Sequence, residues 1–496
     1  MAQPTAHTTA QHLHEILDIM INTYHTNEYV YGRLVNHMEH LLPAALENAL
    51  VLNKQREERK TNLTVNRDEF TLRFLEKNNY FYSVPTELFL KYDGLHFGVY
   101  CEDDIQHQIL STISSEKYLR EWKHKINKNI IKRIKERSPL NAIPETETIQ
   151  FVLNGLCPAI FQTRNQAKYF LTIIGECLAH NSLNIYIFPP VLKEIIREIG
   201  NQCYTYLGLP NIFTNVKFKY YDHKYVDCRL LSLGHVVKKK ISIPILMKQY
   251  MLDVLCVAAH YASRYGNSDN FLQQCNEITL VDHALFLNIH TQENIVNDFI
   301  AKTLTIGQAA AAAASETPSI DLKNMIYLWK KYLDDRAIPN IIFYDVLKTL
   351  LKTKLKYDES TEHFVGVTSL QLPIVAQFML FWDENLLDAL DELEIDEISS
   401  LFKLSTSKHI NDEQILEIIQ HFYPDVVIAE NKYIRNVKCK LWDKRADVLK
   451  ALAQFKQSPS PYTAAYEFYC AFNKNKNTLL VSKRYFESIT SEICDA

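Results

Sequence analysis

Apolar positions recur at three- and four-residue spacing over much of the chain, which is the pattern of amphipathic helices. His12, Ile16, Ile19 and Met20 share one face of a helical stretch within residues 11–55. Leu119, Trp122, Ile126, Ile130 and Ile134 mark another. It belongs to helices that open at Asp103 and Asp104, run to about Arg137 and stop at Ser138-Pro139. Between the two, Leu88–Tyr92 and Leu95–Tyr100 flank Asp93-Gly94, a hairpin signal. From about Ile143 the pattern mixes. Asn184–Phe188 and Val216–Tyr221 read as extended, Gln249–Tyr261 and Gln292–Leu304 as helical. Leu322–Leu333 and Phe343–Leu355 are predicted helices. After them come a helix over Asn385–Phe402, a second over Asp412–Phe422 capped by Asn411, and a wing. The wing would join Val426–Ile428 to Tyr433–Lys440 around Glu430-Asn431, a winged-helix-like order. Tyr462–Ile493 reads as a small helical module.

Two breaks divide the chain. Gly307–Ser319 contains six consecutive alanines, Ala309–Ala314, with no apolar periodicity to dock them, and is expected to be a linker. Lys456-Gln457-Ser458-Pro459-Ser460-Pro461 is a Pro/Ser joint. The expected fold is α+β, predominantly α-helical and multidomain. It comprises a helical domain with a hairpin and a basic helix (1–140), a mixed α/β domain (141–304), a linker (305–319), a helical plus winged-helix-like domain (320–456) and a helix-turn-helix-like module (462–496). No internal repeat of fixed period is visible.

Composition narrows the function classes. The chain has 496 residues, 47% hydrophobic and 23% charged, so it can bury a large core. A net charge of −4 supplies no global field for nucleic acid or membrane, and any such binding must rest on local patches. Only 11 residues are glycine, few for folds that cradle phosphates in glycine-rich turns. The ten cysteines form no CxxC pair, which fits reduced thiols and offers no zinc cluster. The polar start Met1–Ala10 lacks a signal core, and no apolar run reaches the ~18 residues of a membrane helix, so no membrane association is expected.

Local basic patches are the candidate chemistry. Lys117, Arg120, Lys123, Lys125, Lys128, Lys132, Arg133, Lys135 and Arg137 stand against only Glu121 and Glu136 on the helix at 117–137. Such a face can neutralise phosphates, or can simply be a solvated helix face. Lys217 and Lys219 alternate with Val216, Phe218 and Tyr220, as suits single-stranded nucleic acid or a lysine-guarded edge strand. Lys238, Lys239 and Lys240 follow nearby, and Lys483 and Arg484 sit in the tail, where Ser482–Phe486 can enter a groove.

Other constellations point elsewhere. Asp383–Glu397 holds eight acids and no base beside Leu386, Leu390 and Leu393, which reads as an acidic solvated helix or partner surface. Asp222, His223, Asp227 and Cys228 contain a Cys and a His, the makings of a nucleophile pair, although one extended segment does not easily turn them toward each other. Tyr225, Leu230 and Leu231 fit the Tyr-x4-Leu-apolar pattern by which translation scaffolds grip a cap-binding protein, a partner-binding candidate.

Three stretches carry a family resemblance. Phe81-Tyr82 through Asp93-Gly94-Leu95-His96-Phe97, then Glu102-Asp103-Asp104-Ile105 and Trp122-Lys123, resembles the domain preceding the helicase in poxvirus-type primase–helicases. Tyr466-Glu467-Phe468-Tyr469-Cys470 and Val481-Ser482-Lys483-Arg484-Tyr485-Phe486 resemble their small helix-turn-helix tail. Lys168–Gly175 and Phe218–His223 resemble stretches of uncharacterised proteins of giant DNA viruses. The Walker A loop of those enzymes has no counterpart. The nearest stretch, Gly175–Asn181, lacks the second glycine and the lysine, so ATP hydrolysis is not carried over. The basic amphipathic helix, the Lys/aromatic strand and the winged-helix-like and tail modules, taken with the resemblance, lead one to expect a non-enzymatic nucleic-acid-binding accessory protein of viral replication or gene expression, in the cytoplasm of the infected cell. It would bind DNA or RNA, work beside other viral replication, transcription or translation proteins, and need no cofactor or metal. The rival expectation is an interaction scaffold, such as a translation-factor-like hub or a virion component.

Overall fold

The computed structural model describes residues 6–180, 183–233, 244–307, 318–455, 462–474 and 479–495. The fold is α+β and mostly helical. It divides into two compact units. One holds residues 1–184, 189–216 and 237–281, the other 185–188, 217–236 and 282–496.

The first unit opens with α1 (Ala6–Tyr24), α2 (Glu28–Asn36) and α3 (Leu42–Lys77). One π-helical turn, His37–Leu41, joins α2 to α3. Strands β1 (Asn79–Ser83), β2 (Leu88–Tyr92) and β3 (Phe97–Tyr100) form an antiparallel sheet in sequence order. The Asp93-Gly94 turn forms as its residues require. Gly94 takes φ +102°, and Asp93 Oδ1 accepts from the Leu95 and His96 amides. Next come α4 (Glu102–Ser115), a tight 3₁₀ turn over Lys117–Trp122 and α5 (Lys123–Lys135). Helices α6 (Thr146–Leu156), α7 (Arg164–Leu178), α8 (Lys193–Leu207), α9 (Ile245–Gln249), α10 (Met251–Tyr265) and α11 (Ser268–Gln274) complete this unit.

Strand alternation gives the sheet two buried faces. Tyr80 and Phe89 pack with Phe70, Phe74, Ile105, Ile109, Ile126 and Ile130. Phe81, Leu90, Tyr92 and Phe97 pack with Leu252 and Cys256 of α10. The hairpin and α10 therefore share a core, and the boundary expected at residue 140 falls inside one unit. Pairwise sheet–helix burial overrides the Ser138-Pro139 stop, which ends a helix but not a domain.

Helix α7 starts in a capping box between Thr163 and Gln166 and is buried on nearly every side. Gly175, the residue nearest a phosphate-loop pattern, lies inside this helix. A Cβ there would sit 2.1 Å from the Ala258 carbonyl oxygen and 2.6 Å from the Ala262 Cβ of α10. The glycine thus permits close helix–helix approach and holds no phosphate. Gly175→Ala is expected to destabilise the protein by about 1–3 kcal/mol through overpacking, read as a lower urea midpoint with unchanged m-value.

After α12 (Ile278–Ala284) and α13 (Phe286–Ile289), the second unit shows one order of elements twice. The first pass is α14 (Gln292–Thr303), β8 (Ser319–Asp321), α15 (Leu322–Asp334), α16 (Tyr344–Lys354), β9 (Tyr357–Asp358) and β10 (His363–Val365). The second is α17 (Leu372–Asn385), β12 (Leu386–Glu394), α18 (Ile395–Thr406), α19 (Asp412–Phe422), β13 (Ile428–Ala429) and β14 (Tyr433–Cys439). Both antiparallel sheets place the last strand in the middle, β8-β10-β9 and β12-β14-β13. Equivalent helices line one core, with Phe299, Leu328 and Leu351 from the first pass and Phe378, Ile398 and Ile418 from the second. The unit also holds β4 (Ile185–Ile187), parallel to β6 (Cys228–Leu230), and Lys217 of the two-residue strand β5 (Val216–Lys217).

The structure corrects several expectations. Both ends of the linker expected over 305–319 lie in strands. Thr305-Ile306 forms β7 against β11 (Val367–Thr368), and Ser319 begins β8; residues 308–317 lie outside the described residues. The extended stretch at Val216 ends after Lys217. Residues 386–394 are a strand where a helix was expected. Leu390 is fully exposed at an irregularity between Asp388 and Glu392, so Leu386, Leu390 and Leu393 form no common stripe. The acids are tolerated in this strand because its neighbour is basic. Glu394 meets Lys432 at 2.7 Å and Glu392 meets Arg435 at 3.7 Å. The β13–β14 hairpin forms at Glu430-Asn431, both at positive φ, as primed hairpin turns require.

Burial pushes the Glu394 carboxyl up, but the Lys432 ammonium and the Ser482 hydroxyl outweigh it and hold it below the usual range. A carboxylate with a depressed native pKa stabilises fully above its unfolded pKa of about 4.3, and the contribution is lost as pH falls through the native value. Glu394→Gln should lower the urea midpoint at pH 7 and flatten its fall below about pH 4. A variant that tracks the parent at every pH removes this assignment.

The tail comprises α20 (Lys444–Leu452), α21 (Tyr462–Lys474) and α22 (Lys483–Asp495). Val448, Ala451, Tyr469, Phe486 and Ile489 make their common core. The tail module therefore recruits α20 from the preceding domain; residues 456–461, the Pro/Ser joint, lie outside the described residues.

Candidate nucleic-acid interface

Helix α5 takes its orientation from three isoleucines. Ile126, Ile130 and Ile134 are fully buried at i, i+4 and i+8. Lys128 and Lys132 follow the first two by two residues, about 200° around the helix, and so must point outward. Lys125, Lys128, Lys132 and Lys135 then form one exposed stripe about 15 Å long. Lys123, Lys128, Lys132 and Arg133 form no ion pair among the described residues.

Aromatic rings and local bonds hold the remaining cations. The Lys125 ammonium lies 4.5 Å from the Trp122 ring centre. Lys135 reaches 5.3 Å from Tyr82 and 5.4 Å from Phe89, and 4.0 Å from Glu102. Arg120 donates to the Ser114 carbonyl, and Glu121 is taken up by Arg59 at 3.1 Å. Arg137 donates to the Leu75 carbonyl, and burial lowers its pKa. Arg120 and Arg137 thus serve structure, while Lys125, Lys128 and Lys132 keep exposed side chains. The backbone of Lys117 is described, its side chain is not.

Of the other basic candidates, Lys217, Lys219, Lys483 and Arg484 belong to the second unit. Lys217 is half-buried at the end of β5, and Lys219 is exposed beyond it. The nearby Tyr220 ring turns into the core, and its hydroxyl donates to the His223 carbonyl, so it is no stacking platform. Lys483 and Arg484 open α22, where Lys483 meets Glu487 at 3.8 Å and Arg484 stacks 4.4 Å over Tyr433. Lys238, Lys239 and Lys240 lie outside the described residues.

The partner-binding candidates Tyr225, Leu230 and Leu231 are turned inward. Leu230 and Leu231 are buried, and the Tyr225 hydroxyl donates to the Ile341 carbonyl at 2.9 Å. A gripping motif needs these groups on one exposed helix face; here a 3₁₀ turn followed by a strand buries them. Cys228 donates to the Lys224 carbonyl, and burial pushes its thiol up to about 11, opposite to the depressed value of a nucleophile.

Two buried pairs lie beyond what the sequence leads one to expect. Asp253, fully buried in α10, accepts from the Phe97 amide at 2.7 Å and meets His96 Nδ1 at 2.6 Å. The His96 ring stacks on Tyr250 at 3.8 Å. Lys444, likewise buried, donates to Glu397 and to the Glu392 carbonyl. A lone acid in the apolar run Met251–Ala258 is the available signal for the first; the second has none.

No protein family, curated protein or solved structure matches the chain. Among the described residues no helix is long and apolar enough to cross a membrane.

Proposed function

We propose that this chain is a non-enzymatic nucleic-acid-binding protein whose phosphate contacts come from the outer face of α5. The observation that carries the reading is the outward stripe Lys125–Lys128–Lys132, aimed by three buried isoleucines and in no ion pair among the described residues. Ammonium groups at about 5 Å intervals along a rigid axis can displace counterions from a phosphate backbone without reading sequence. The resemblance to giant-virus proteins directs this activity to viral replication or gene expression in the infected cell. Fluorescence anisotropy with labelled single- and double-stranded DNA and RNA at 50 and 200 mM salt tests the proposal. Binding that weakens steeply with salt supports it; no binding at 50 mM, or binding indifferent to salt, ends it.

The repeated order in the second unit supports a second reading, as two winged-helix-like modules used for protein contact. In such a module the third helix enters the groove. The third helix of the second pass, α19, carries Asp412, Glu413 and Glu417, and Glu417 meets Lys331 of α15 at 3.2 Å. An acidic helix packed on its neighbour suits a scaffold, not a polyanion. Partners that stay bound after nuclease treatment would favour this reading.

A further inference from the structure

The segment from Glu28 to Lys77 is one unbroken helix. His37, Leu41 and Leu42 all keep right-handed helical dihedrals through the π turn. At 1.5 Å per residue it is about 75 Å long. Its buried residues, Phe70, Thr71, Phe74 and Leu75, all lie in its last turns. Upstream of them, Leu42–Leu52 contains nine apolar residues in eleven, yet Leu46 is 61% and Leu50 is 70% exposed. A helix apolar on nearly every side belongs in a core. Beside it, Tyr24, Val30, Leu34, Met38, Leu41 and Ala45 line an open apolar groove.

We infer that this stretch is a homodimer interface in which the long helix pairs antiparallel with that of a second copy. Charge selects the occupant and its direction. Residues 6–41 carry four acids against one arginine, and residues 53–60 carry four bases against two acids. A two-fold axis between Glu47 and Asn48 centres the apolar stretch on itself. It sets Leu46 level with Ala49 of the other copy, and Glu39 level with Arg56. Glu39, Leu42, Leu46, Leu50, Asn53 and Arg56 follow at steps of three or four, so they share a face. The end of the groove beside Ala45 then receives Leu50 and Leu52 of the other copy. Parallel pairing would oppose Glu39 to Glu39 and Arg56 to Arg56. The contact is isologous and closes at two chains.

Sedimentation velocity of the full chain tests this. The expected mass is that of two chains, not the single-chain 57.8 kDa. Leu46→Glu with Leu50→Glu should weaken dimerisation at least about a hundredfold, with circular dichroism unchanged because both side chains are exposed. Glu39→Lys and Arg56→Glu should each weaken self-association, and a mixture of the two should dimerise better than either alone. A monomer at tens of micromolar overturns the inference. So does a dimer that survives the double glutamate variant, a mixture that gains nothing, or capture of a monomeric chain by anionic phospholipid vesicles.

Discussion

Truncating Lys444 to alanine is expected to destabilise the second unit by about 3–5 kcal/mol. The Lys444 side chain is 2% exposed and that of Glu397 is 6%. The ammonium donates to Glu397 Oε2 at 2.7 Å and to the Glu392 carbonyl at 2.9 Å, and lies 3.9 Å over the Tyr485 ring. Burial pushes the Glu397 carboxyl up in spite of this partner. Without Lys444 the carboxylate would be stranded with no opposite charge. The cost belongs to the stranded group rather than to the pair, because desolvation offsets most of the attraction between two buried ions. Lys444→Met should therefore be nearly as damaging as Lys444→Ala, while Lys444→Met with Glu397→Met should recover most of the loss. Urea unfolding of the three variants measures this as a non-additive cycle. A single variant within about 1 kcal/mol of the parent would show that water reaches Glu397 and that the pair is not dry.

Reversing charge on α5 is expected to have the largest effect on polyanion affinity. Lys125→Glu, Lys128→Glu and Lys132→Glu together should weaken binding on the order of a hundredfold at 50 mM salt. For every phosphate that the variant no longer neutralises, the plot of log affinity against log salt should also flatten, by about 0.9 for duplex DNA or 0.7 for single strands. All three lysines are exposed, so stability should change by no more than about 0.5 kcal/mol each. Reversing Lys483 and Arg484, which already have partners, serves as the control and should cost much less. Equal losses from the two sets would mean that net charge, and not the α5 stripe, governs binding. An unchanged salt slope in the triple variant would remove α5 from the interface.

Elements coded over a few residues are legible in the sequence. Asp93-Gly94 fixes its turn because one glycine and one short acceptor suffice. Asn411 caps α19 from a single side chain, accepting from the Gln414 amide. The α5 stripe follows from isoleucine spacing alone. The acidic stretch at 386–394 departs from its helical expectation because its partner strand, Tyr433–Cys439, lies far downstream. Lys432 and Arg435 make an acidic strand tolerable, and no local pattern contains them. The duplicated order of helices and strands leaves no period, since the two passes share the order of elements and not residue identities, and residues 308–317 separate elements of the first.

By itself, the sequence determined several of the helices and turns, where a glycine or cap is required, and which face of α5 carries the lysines. Those choices rest on backbone sterics, capping bonds and side-chain period, all settled within a turn or two of chain. Only the tertiary structure decided that the hairpin shares a core with α10, that Gly175 serves a helix crossing, that Tyr225, Leu230 and Leu231 face inward, and that Lys444 is buried against Glu397. Each depends on which distant surface comes to cover a given side chain, and burial is a property of the pair rather than of either segment.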